Sequence, residues 1–535
     1  MPKNAANHKD TKQTLALGVF FLTVSNVLTK LCGMFLKVPL TNALGDTGMA
    51  YFNLAYAVYK WFYMISTAGL PVAAAVLTAR FAGEGDTRCE NLRRVRNVTL
   101  GAFCAVGIFG SLCMFFGAPL FASLQQVENA AASISAIAPA LFCICIASAL
   151  RGWYQGLGSL LPASIAQVAE ACTKMVCGLC FGTYAISRGY PIYTVAAYAI
   201  FGLTAGCLLG MLVMLIALPV VHKKHRIPLT SKQDRASGTN AVSCSHLLHQ
   251  LLRIAIPVTL SASVLSLCDM LDSMIVIRRL CGAGMAEDEA LRLYGNYTAL
   301  AVPMFNLPPI LIYPVTTALI PVITAAFENK KDPDKRSRLV TTSISATAYI
   351  ALPCAAGMSV MAEPLLRLLY RDDLAATGAP MLKILSIATF FLSMLAMTNA
   401  ILQAADHARY PVYSICAGAV VKLISSWVLC GRPELGILGT PLSTVLCYTT
   451  MALCNLYFVV RATGISLPLF RALWKPALCS VLCAFTASAA FGLLYGRISE
   501  AIATLGAVAI GGITYLAAMI AVRGFSRDLV AFFKK

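Results

Sequence analysis

Long runs of apolar residues recur along the whole chain, separated by short polar stretches. A helix that crosses a bilayer needs about 20 mostly apolar residues, and a window of that length finds fourteen candidate spans. The approximate spans are 14–40, 50–78, 97–124, 131–150, 161–187, 192–220, 248–277, 294–326, 339–362, 378–403, 409–429, 437–460, 473–495 and 501–522. The eighth span contains Pro303, Pro308 and Pro309, which can break a helix. The pattern predicts an all-α polytopic membrane protein with about 14 transmembrane helices.

The composition excludes a water-soluble protein of this length. Of the 535 residues, 59% are apolar and only 12% are charged, which is about half the charged fraction of a typical soluble domain. The first span is not interpreted as a cleaved signal peptide, because it is too long and carries Lys30 and Lys37 where a signal peptide would be apolar. The chain is therefore expected to reside in the membrane as a multi-pass protein.

The basic residues lie mainly on one side of the predicted membrane. The N-terminus and every second polar segment hold 28 lysines and arginines, whereas the opposite segments hold eight. Because basic residues accumulate on the cytoplasmic side, both termini are predicted to be cytoplasmic and the number of helices even. This topology explains most of the net charge of +19. The predicted partners of the basic loops are therefore membrane lipids, and nucleic acid is not expected to bind.

Two halves of the chain repeat the same features at a nearly constant spacing. Pro71 and Pro321 lie 250 positions apart, each near the end of a span that a basic segment follows. A glutamine and a lysine 19 residues apart also recur 248 positions later, as Gln155 with Lys174 and Gln403 with Lys422. Since a six-helix unit keeps the same membrane orientation, the halves are predicted to be parallel repeats around a central cavity.

The repeat predicts a domain organisation in three parts. Residues 1–247 would form an N-terminal six-helix lobe with its cytoplasmic loop, and residues 248–462 a second six-helix lobe. Residues 463–535 would form two appended transmembrane helices and a cytoplasmic tail.

Nine charged residues lie inside predicted spans, where each would cost roughly 2.5–3.5 kcal/mol at a helix centre. They are Lys30, Lys37, Lys60, Lys174, Lys383, Lys422, Glu170, Asp269 and Asp272. At 1.5 Å per residue, Lys30 and Lys60 lie roughly 15 Å deep and Asp269 roughly 12 Å deep. Because such residues usually face a partner or a water-filled cavity, we predict that charges of both signs meet at one level.

The lysines have a functional and a structural interpretation. Lys37 and Lys383 lie near span ends, where a lysine can extend its amine to the membrane surface. Lys30 lies too deep for that, which favours a cavity. The predicted cavity lysines are Lys30, Lys37, Lys60, Lys174 and Lys422.

The carboxylates have two interpretations as well. Glu170 and Lys174 lie one helical turn apart and can neutralise each other. Asp269 and Asp272 share a helical face and have no cation within four residues. They either pair with Lys30 or Lys60 or bind a coupling Na⁺ or proton, so all three carboxylates are predicted charge partners or ion-coupling residues.

Arg151, Gly152, Gln155 and Gly156 form a short motif that is predicted to join the fourth and fifth spans on the cytoplasmic side. Its structural interpretation is an anchor at the membrane surface, which arginine and aromatic residues favour. The two glycines would allow close packing against neighbouring helices.

Prolines and cysteines are assigned structural roles. Pro71 and Pro321 predict bends or hinges at the ends of the second and eighth spans. Cys177 and Cys180 have the spacing of a zinc or redox motif, but they lie inside a span without a second Cys or His pair nearby. No metal site and no cofactor are therefore expected.

Several motifs resemble those of the polysaccharide-transporter branch of the MOP (MATE-like) exporter superfamily. The similar stretches are Ser148 to Gly156, Pro162 to Glu170, Thr29 to Gly45, Ser66 to Ala73, Ile256 to Thr259 with Asp272 and Ser273, and Pro411 to Lys422. Within that branch, the chain is most similar to the group of stage V sporulation protein B and the MurJ-type lipid II flippases of Gram-positive bacteria.

The resemblance implies a V-shaped, two-lobed bundle in the cytoplasmic membrane that works by alternating access. It also implies a cationic cavity for the pyrophosphate of an undecaprenyl-linked sugar, most specifically lipid II, used in peptidoglycan or spore cortex synthesis. Lys30 is similar to a basic cavity residue of the first span in that family, and Lys60 lies one turn from basic positions of the second span. Lys37 stands where MurJ-type proteins carry an acidic residue. Coupling to Na⁺, H⁺ or the membrane potential and contact with cell-wall synthesis proteins are expected alongside.

Other functions remain as alternatives. A MATE-like drug and cation antiporter would favour an acidic cavity, whereas six lysines here face three carboxylates. An exporter of another lipid-linked polysaccharide unit and a non-transporting scaffold are not distinguished by the sequence. A membrane-embedded glycosyltransferase would need a carboxylate cluster, and the adjacent pair Asp372 and Asp373 lies beside Arg371 in a predicted outer loop. The chain is therefore not expected to be an enzyme.

Overall fold

The computed structural model of the chain describes residues 3–83, 88–225, 227, 242–310, 312, 322–324, 326–327, 333–407, 409–465, 469–522 and 524. Within these ranges, side chains are described except at 3–24, 26–27, 30–31, 34, 257, 261, 333, 335, 469 and 471. The described residues form helices joined by short turns, and no β-strand occurs among them.

The chain divides into two compact units, Met1–Ser273 and Met274–Lys535. The boundary falls inside a long helix, whereas the sequence places the first lobe at residues 1–247. The predicted organisation in three parts remains a prediction, and the two compact units are described separately below.

The described residues of the first unit form eight helices, and the last of them continues past the boundary. They are α1 (Lys3–Thr67), α2 (Leu70–Phe81), α3 (Arg88–Phe116), α4 (Ala118–Leu124), α5 (Ala130–Gly156), α6 (Leu161–Ser187), α7 (Ile192–His225) and α8 (Cys244–Gly282). A proline occupies the first turn of α2, α4 and α6. There its missing N–H leaves no helical hydrogen bond unmade, so these prolines mark where helices begin.

The second unit contains the remaining helices. They are α9 (Glu287–Asn296), α10 (Val302–Phe305), α11 (Pro333–Val360), α12 (Ala362–Arg367), α13 (Asp372–Ala404), α14 (Tyr410–Leu429), α15 (Gly439–Thr463), α16 (Leu469–Leu494) and α17 (Glu500–Ala521). Asp372 and Asp373, which the sequence places in a loop, form the first turn of α13. Negative side chains are favoured there because the N-terminus of a helix carries partial positive charge.

The all-α multi-pass architecture is confirmed. Eleven helices of the described residues are long and apolar enough to cross a membrane, or twelve when the bent pair Cys244–Leu260 and Ala262–Gly282 counts as one span. At the start of the predicted span 294–326, α9 continues through a π-helical turn over Tyr297–Ala301 into α10, which ends at Phe305. The predicted number of fourteen spans remains a prediction.

The first two predicted spans belong to one kinked helix. Helix α1 has 65 residues, or roughly 98 Å at 1.5 Å per residue, about three times the thickness of the hydrocarbon core. Its helical geometry is interrupted at Gly45, where φ is 69° and ψ is −171°, a conformation that glycine adopts readily. The predicted polar connection between the spans is thus largely helical. The helix is interrupted just before Pro71, since α1 ends at Thr67 and α2 starts at Leu70; the bend or hinge predicted there remains a prediction.

Helices α6 and α7 pack through a ladder of glycines. Gly202, Gly206 and Gly210 repeat every four residues along one face of α7. A Cβ atom at Gly202 would lie 2.3 Å from the backbone nitrogen of Gly178, and one at Gly206 would lie 2.7 Å from the carbonyl oxygen of Glu170. The two backbones therefore approach so closely that a side chain does not fit between them, as small-residue motifs allow in membrane proteins.

The repeat is visible in the local geometry of matching turns. After α5, the N–H of Ser159 donates to the carbonyl of Tyr154 over 2.9 Å; after α13, the N–H of His407 donates to the carbonyl of Leu402 over 2.8 Å. Each residue of the second turn lies 248 positions after its counterpart in the first. The left-handed residue is Gly158 in the first turn and, 248 positions later, Asp406 in the second, with φ of 73° and 62°. The predicted repeat thus extends to backbone conformation.

The two last helices pack within the second unit against α11. The hydroxyl of Tyr515 donates to the carbonyl of Tyr349 over 2.9 Å, and the hydroxyl of Tyr349 donates to the carbonyl of Gly524 over 2.9 Å. Lys475 donates to the carbonyl of Val522 over 3.1 Å. The helices predicted as an appended pair are therefore an integral part of this unit.

Candidate substrate cavity

A cavity of about 440 Å³ lies inside the first unit, where α1, α5, α6 and α7 meet. Its charged lining residues are Lys37, Lys60, Arg151, Glu170 and Lys174, and its aromatic lining residues are Phe52, Tyr56, Tyr59 and Tyr63. Every charged residue except Arg151 was selected from the sequence because it lies inside a predicted span. Charged residues that would be costly in contact with the lipid therefore line this cavity.

Lys60 on α1 pairs with Asp269 on α8. Its Nζ lies 2.7 Å from Oδ2 of Asp269, and the two side chains are 39% and 31% exposed. This arrangement confirms one of the two predicted alternatives, that an aspartate of the seventh span pairs with a lysine of the first two spans. Because both groups are partly exposed, the pair can open at little cost.

Lys174 and Glu170 form a second pair along α6. Nζ of Lys174 lies 2.6 Å from Oε1 of Glu170, and their side chains are 26% and 11% exposed. The thiol of Cys207 on α7 lies 3.9 Å from the same carboxylate oxygen, and the hydroxyl of Tyr59 lies 3.9 Å from that thiol. The predicted neutralising pair is confirmed, and Gly206 leaves the space in which it sits.

Two cations of the cavity have no carboxylate partner among the described residues, Lys37 and Arg151. Lys37 lines the same cavity as Lys60, and like charges that share a cavity disfavour each other. The Nε of Arg151 is buried and has no hydrogen-bond partner within the described part of the chain. With Asp269 and Glu170 each paired to a lysine, the cavity carries two positive charges in excess, which suits it to bind an anion.

The two ion pairs should differ in their contribution to stability. We expect Lys174→Met to lower the stability by about 3 kcal/mol, because it leaves a largely buried carboxylate unpaired. Lys60→Met should cost at most about 1 kcal/mol, because its pair is partly exposed. Thermal unfolding of the purified variants measures the difference. The double change Glu170→Met with Lys174→Met should restore most of the loss; an equal loss in all three variants would contradict this assignment.

The remaining predicted residues lie in different places. Lys30 falls within α1, but its side chain is outside the described residues, and so is Pro321. Lys422 belongs to α14 of the second unit, where its side chain is buried, and Asp272 on α8 is buried as well. Lys383, on α13 of the second unit, is exposed. The predictions for Lys30 and Lys422 as substrate contacts remain predictions.

The motif from Arg151 to Gly156 is helical rather than a connecting loop. It forms the last turns of α5, and the turn to α6 follows it. A Cβ atom at Gly152 would lie 2.5 Å from the carbonyl oxygen of Pro71, and one at Gly156 would lie 2.6 Å from the carbonyl oxygen of Ala75. The predicted close packing is therefore confirmed, with α2 as the neighbour. Gln155, which lies between Gly152 and Gly156 in the sequence, is half-buried.

Sequence reasoning missed three contributors to the cavity. Arg151 was interpreted as a surface anchor, yet it lines the cavity. The tyrosines of α1 were not singled out, although Tyr56, Tyr59 and Tyr63 recur at helical spacing on the face of Lys60. The glycine ladder of α7 was also overlooked. Its spacing of four, within an apolar span, was the signal that could have revealed it.

Comparisons with known proteins place the chain in a family. The model of the family described as "Polysaccharide biosynthesis protein" matches residues 15–327, and the model described as "MatE" matches residues 298–428. Among curated proteins of Bacillus subtilis (strain 168), the uncharacterized membrane protein YabM is 27% identical over 94% of this chain and 92% of its own. Stage V sporulation protein B is 26% identical over 97% of each chain, and lipid II flippase MurJ is 23% identical over 94% of each.

Solved structures agree on the fold. A lipid II flippase MurJ in an inward closed conformation superimposes with a TM-score of 0.69 at 16% identity, over 96% of this chain and all of that one. An inward-facing multidrug resistance MATE family transporter of the MOP superfamily superimposes with a TM-score of 0.65 at 18% identity, over 81% and 94%. These likenesses confirm the predicted resemblance. The chain belongs to the polysaccharide biosynthesis protein family, and its fold is that of the MOP superfamily.

Proposed function

We propose that the protein is a flippase for an undecaprenyl-pyrophosphate-linked sugar precursor, most specifically lipid II, and that it works by alternating access in the cytoplasmic membrane. The observation that carries this proposal is the cavity of the first unit with its two positive charges in excess. The names of two relatives, stage V sporulation protein B and lipid II flippase MurJ, support it further.

The chemistry of the lining suits a pyrophosphate. Arginine can bind two phosphate oxygens at once, and lysine acts as a point charge. Both interactions are stronger in a cavity that is partly shielded from water than they are at a surface. An anion bound in the cavity would also offset the mutual repulsion of the lysines and the arginine that line it. The cavity therefore has reasons to bind a diphosphate that do not depend on the relatives.

We propose that the direction of transport comes from the membrane potential or from a gradient of Na⁺ or H⁺. One charge that crosses 100 mV is worth about 2.3 kcal/mol. Asp269 suits a coupling role because its partner Lys60 is also the cation that an incoming phosphate would bind. Both termini are proposed to be cytoplasmic, with membrane lipids and cell-wall synthesis proteins as further partners.

The competing function is a MATE-like antiporter for cationic drugs, which the match of residues 298–428 to the MatE model favours. A cationic substrate would need a free carboxylate in the cavity. Glu170, which lines the cavity, and Asp269, which pairs with the lining residue Lys60, are both bound to lysines. A drug cation would therefore have to displace a lysine first. A phosphate could bind Lys37 and Arg151 without displacing a carboxylate.

Complementation of a bacterial strain depleted of its own lipid II flippase tests the proposal. We expect the wild-type chain to restore growth and Lys30→Ala to fail, because the resemblance places Lys30 among the basic cavity residues. Lys383→Ala is the matched control, since it removes a lysine of the second unit that is exposed. Immunoblots of the membranes verify equal expression.

Each other outcome has a distinct meaning. Failure of the wild-type chain would contradict lipid II as the substrate and favour another lipid-linked sugar. Rescue by Lys30→Ala would remove Lys30 from the binding site. Resistance to cationic drugs that depends on Asp269 would favour the antiporter instead.

A further inference from the structure

A row of tyrosines on α1 forms one wall of the cavity. Tyr56, Tyr59 and Tyr63 all line it, and the ring centroids of successive tyrosines are 5.9 Å apart. Tyr59 is 5% exposed, whereas Tyr56 is 38% exposed and Tyr63 is half-buried. The buried central ring, whose hydroxyl contacts Cys207, holds the row in place, and the outer two rings present surface to the cavity.

This aromatic wall lies among the cations. Lys60 stands four residues after Tyr56 and three before Tyr63, so all three share a helical face. Tyr56 and Tyr63 line the same cavity as Lys174 and Arg151. A ligand with phosphates on the cations would therefore bring its neighbouring atoms against these rings.

The rings offer the combination of surfaces that a sugar needs. One face of a pyranose ring presents C–H groups, which pack on an aromatic ring, while its hydroxyls need hydrogen-bond partners. A tyrosine supplies both, because its ring is apolar and its hydroxyl donates and accepts. A tyrosine hydroxyl can also donate to a phosphate, but the apolar faces of the rings suit the C–H face of a sugar and not a phosphate oxygen.

We infer that Tyr56 and Tyr63 form a sugar subsite, which holds the first pyranose ring of a glycosyl diphosphate while its phosphates contact Lys37 and Arg151. This inference rests on the proposed function, since it assigns a part of the same substrate to a part of the same cavity. The aromatic wall then distinguishes a lipid that carries a sugar from one that does not, and the cations bind the diphosphate.

Two lipids that differ only in the sugar provide the test. The full-length protein in nanodiscs is titrated with undecaprenyl diphosphate and with undecaprenyl diphosphate carrying a single N-acetylglucosamine. We expect the wild-type protein to bind the sugar-bearing lipid more tightly. Tyr56→Leu and Tyr63→Leu should each weaken its binding by about two- to tenfold and leave undecaprenyl diphosphate unchanged, whereas the Phe variants should keep most of the affinity.

Tyr184→Leu is the matched control, because Tyr184 lies on α6, is 48% exposed and does not line the cavity. An equal loss for both lipids in the Leu variants would overturn the subsite, since it would mean that the tyrosines only maintain the fold. Unchanged binding of both lipids would overturn it as well. If the wild-type protein binds neither lipid, the proposed function itself fails, a result distinct from either of these.

Discussion

Replacing Lys37 or Arg151 by alanine is expected to weaken the binding of undecaprenyl diphosphate by roughly ten- to hundredfold each. A hydrogen bond to a charged group in a protein is worth about 1.5–3 kcal/mol, and each 1.4 kcal/mol corresponds to a factor of ten in affinity. These two cations have no carboxylate partner among the described residues, so no such partner competes with a ligand for them. Titration of the purified protein in nanodiscs measures the effect.

Charge-preserving variants separate attraction from shape. Lys37→Arg should retain most of the affinity, because an arginine keeps the positive charge that attracts the phosphate. Arg151→Lys should lose part of it, because lysine lacks the planar pair of donors that matches phosphate. Lys383→Ala serves as the control that removes a charge outside this cavity. The assignment of the cavity would be contradicted if the alanine variants kept the wild-type affinity. It would also be contradicted if Lys383→Ala lost as much affinity as they do.

Replacing Gly202 by alanine is expected to lower the stability by about 3 kcal/mol, the upper end of the usual cost of overpacking. The added Cβ atom would lie 2.3 Å from the backbone nitrogen and 2.4 Å from the Cα of Gly178. Backbone atoms cannot turn aside as a side chain can, so α6 and α7 must separate. The midpoint of thermal unfolding should fall by roughly 5–10 °C.

Gly101→Ala is the matched control for this change. Gly101 lies on α3 of the same unit, also in a helix, and no atom lies within 4 Å of the place where its Cβ would be. Its substitution should leave the stability unchanged or raise it slightly, because alanine favours helices more than glycine does. Equal behaviour of the two variants would mean that the α6–α7 contact is not as close as described.

The fold was largely predictable because the bilayer imposes one rule on every span. A helix satisfies all its backbone groups internally, so runs of about 20 apolar residues became helices such as α6 and α17, whose bounds agree with the prediction within a residue or two. The sequence did not show that α1 continues through the predicted connection. The kink lies at a single residue, Gly45. A hydropathy average over 20 residues does not detect a change at one position.

The candidate site was predictable only in part. Charges inside spans pointed to Lys37, Lys60, Glu170 and Lys174, and the pair within α6 followed from the helical spacing alone. The contact of Lys60 with Asp269 joins residues 209 positions apart, so the sequence left it as one alternative among several. Arg151 was misjudged because a basic residue near the end of a span normally marks the membrane surface.

The close contact of α6 and α7 also has a consequence for biogenesis. Among the eleven crossing helices of the described residues, α6 has the lowest mean hydropathy, 1.2, and α7 has the highest, 2.4. A helix that carries Glu170 and Lys174 enters the lipid reluctantly on its own. Only the short segment 188–191 separates α6 from α7. The glycines of α7 leave room for the part of α6 that carries Glu170 and Lys174. We therefore expect the two helices to leave the translocon together as a hairpin, with α6 retained until α7 has been synthesised.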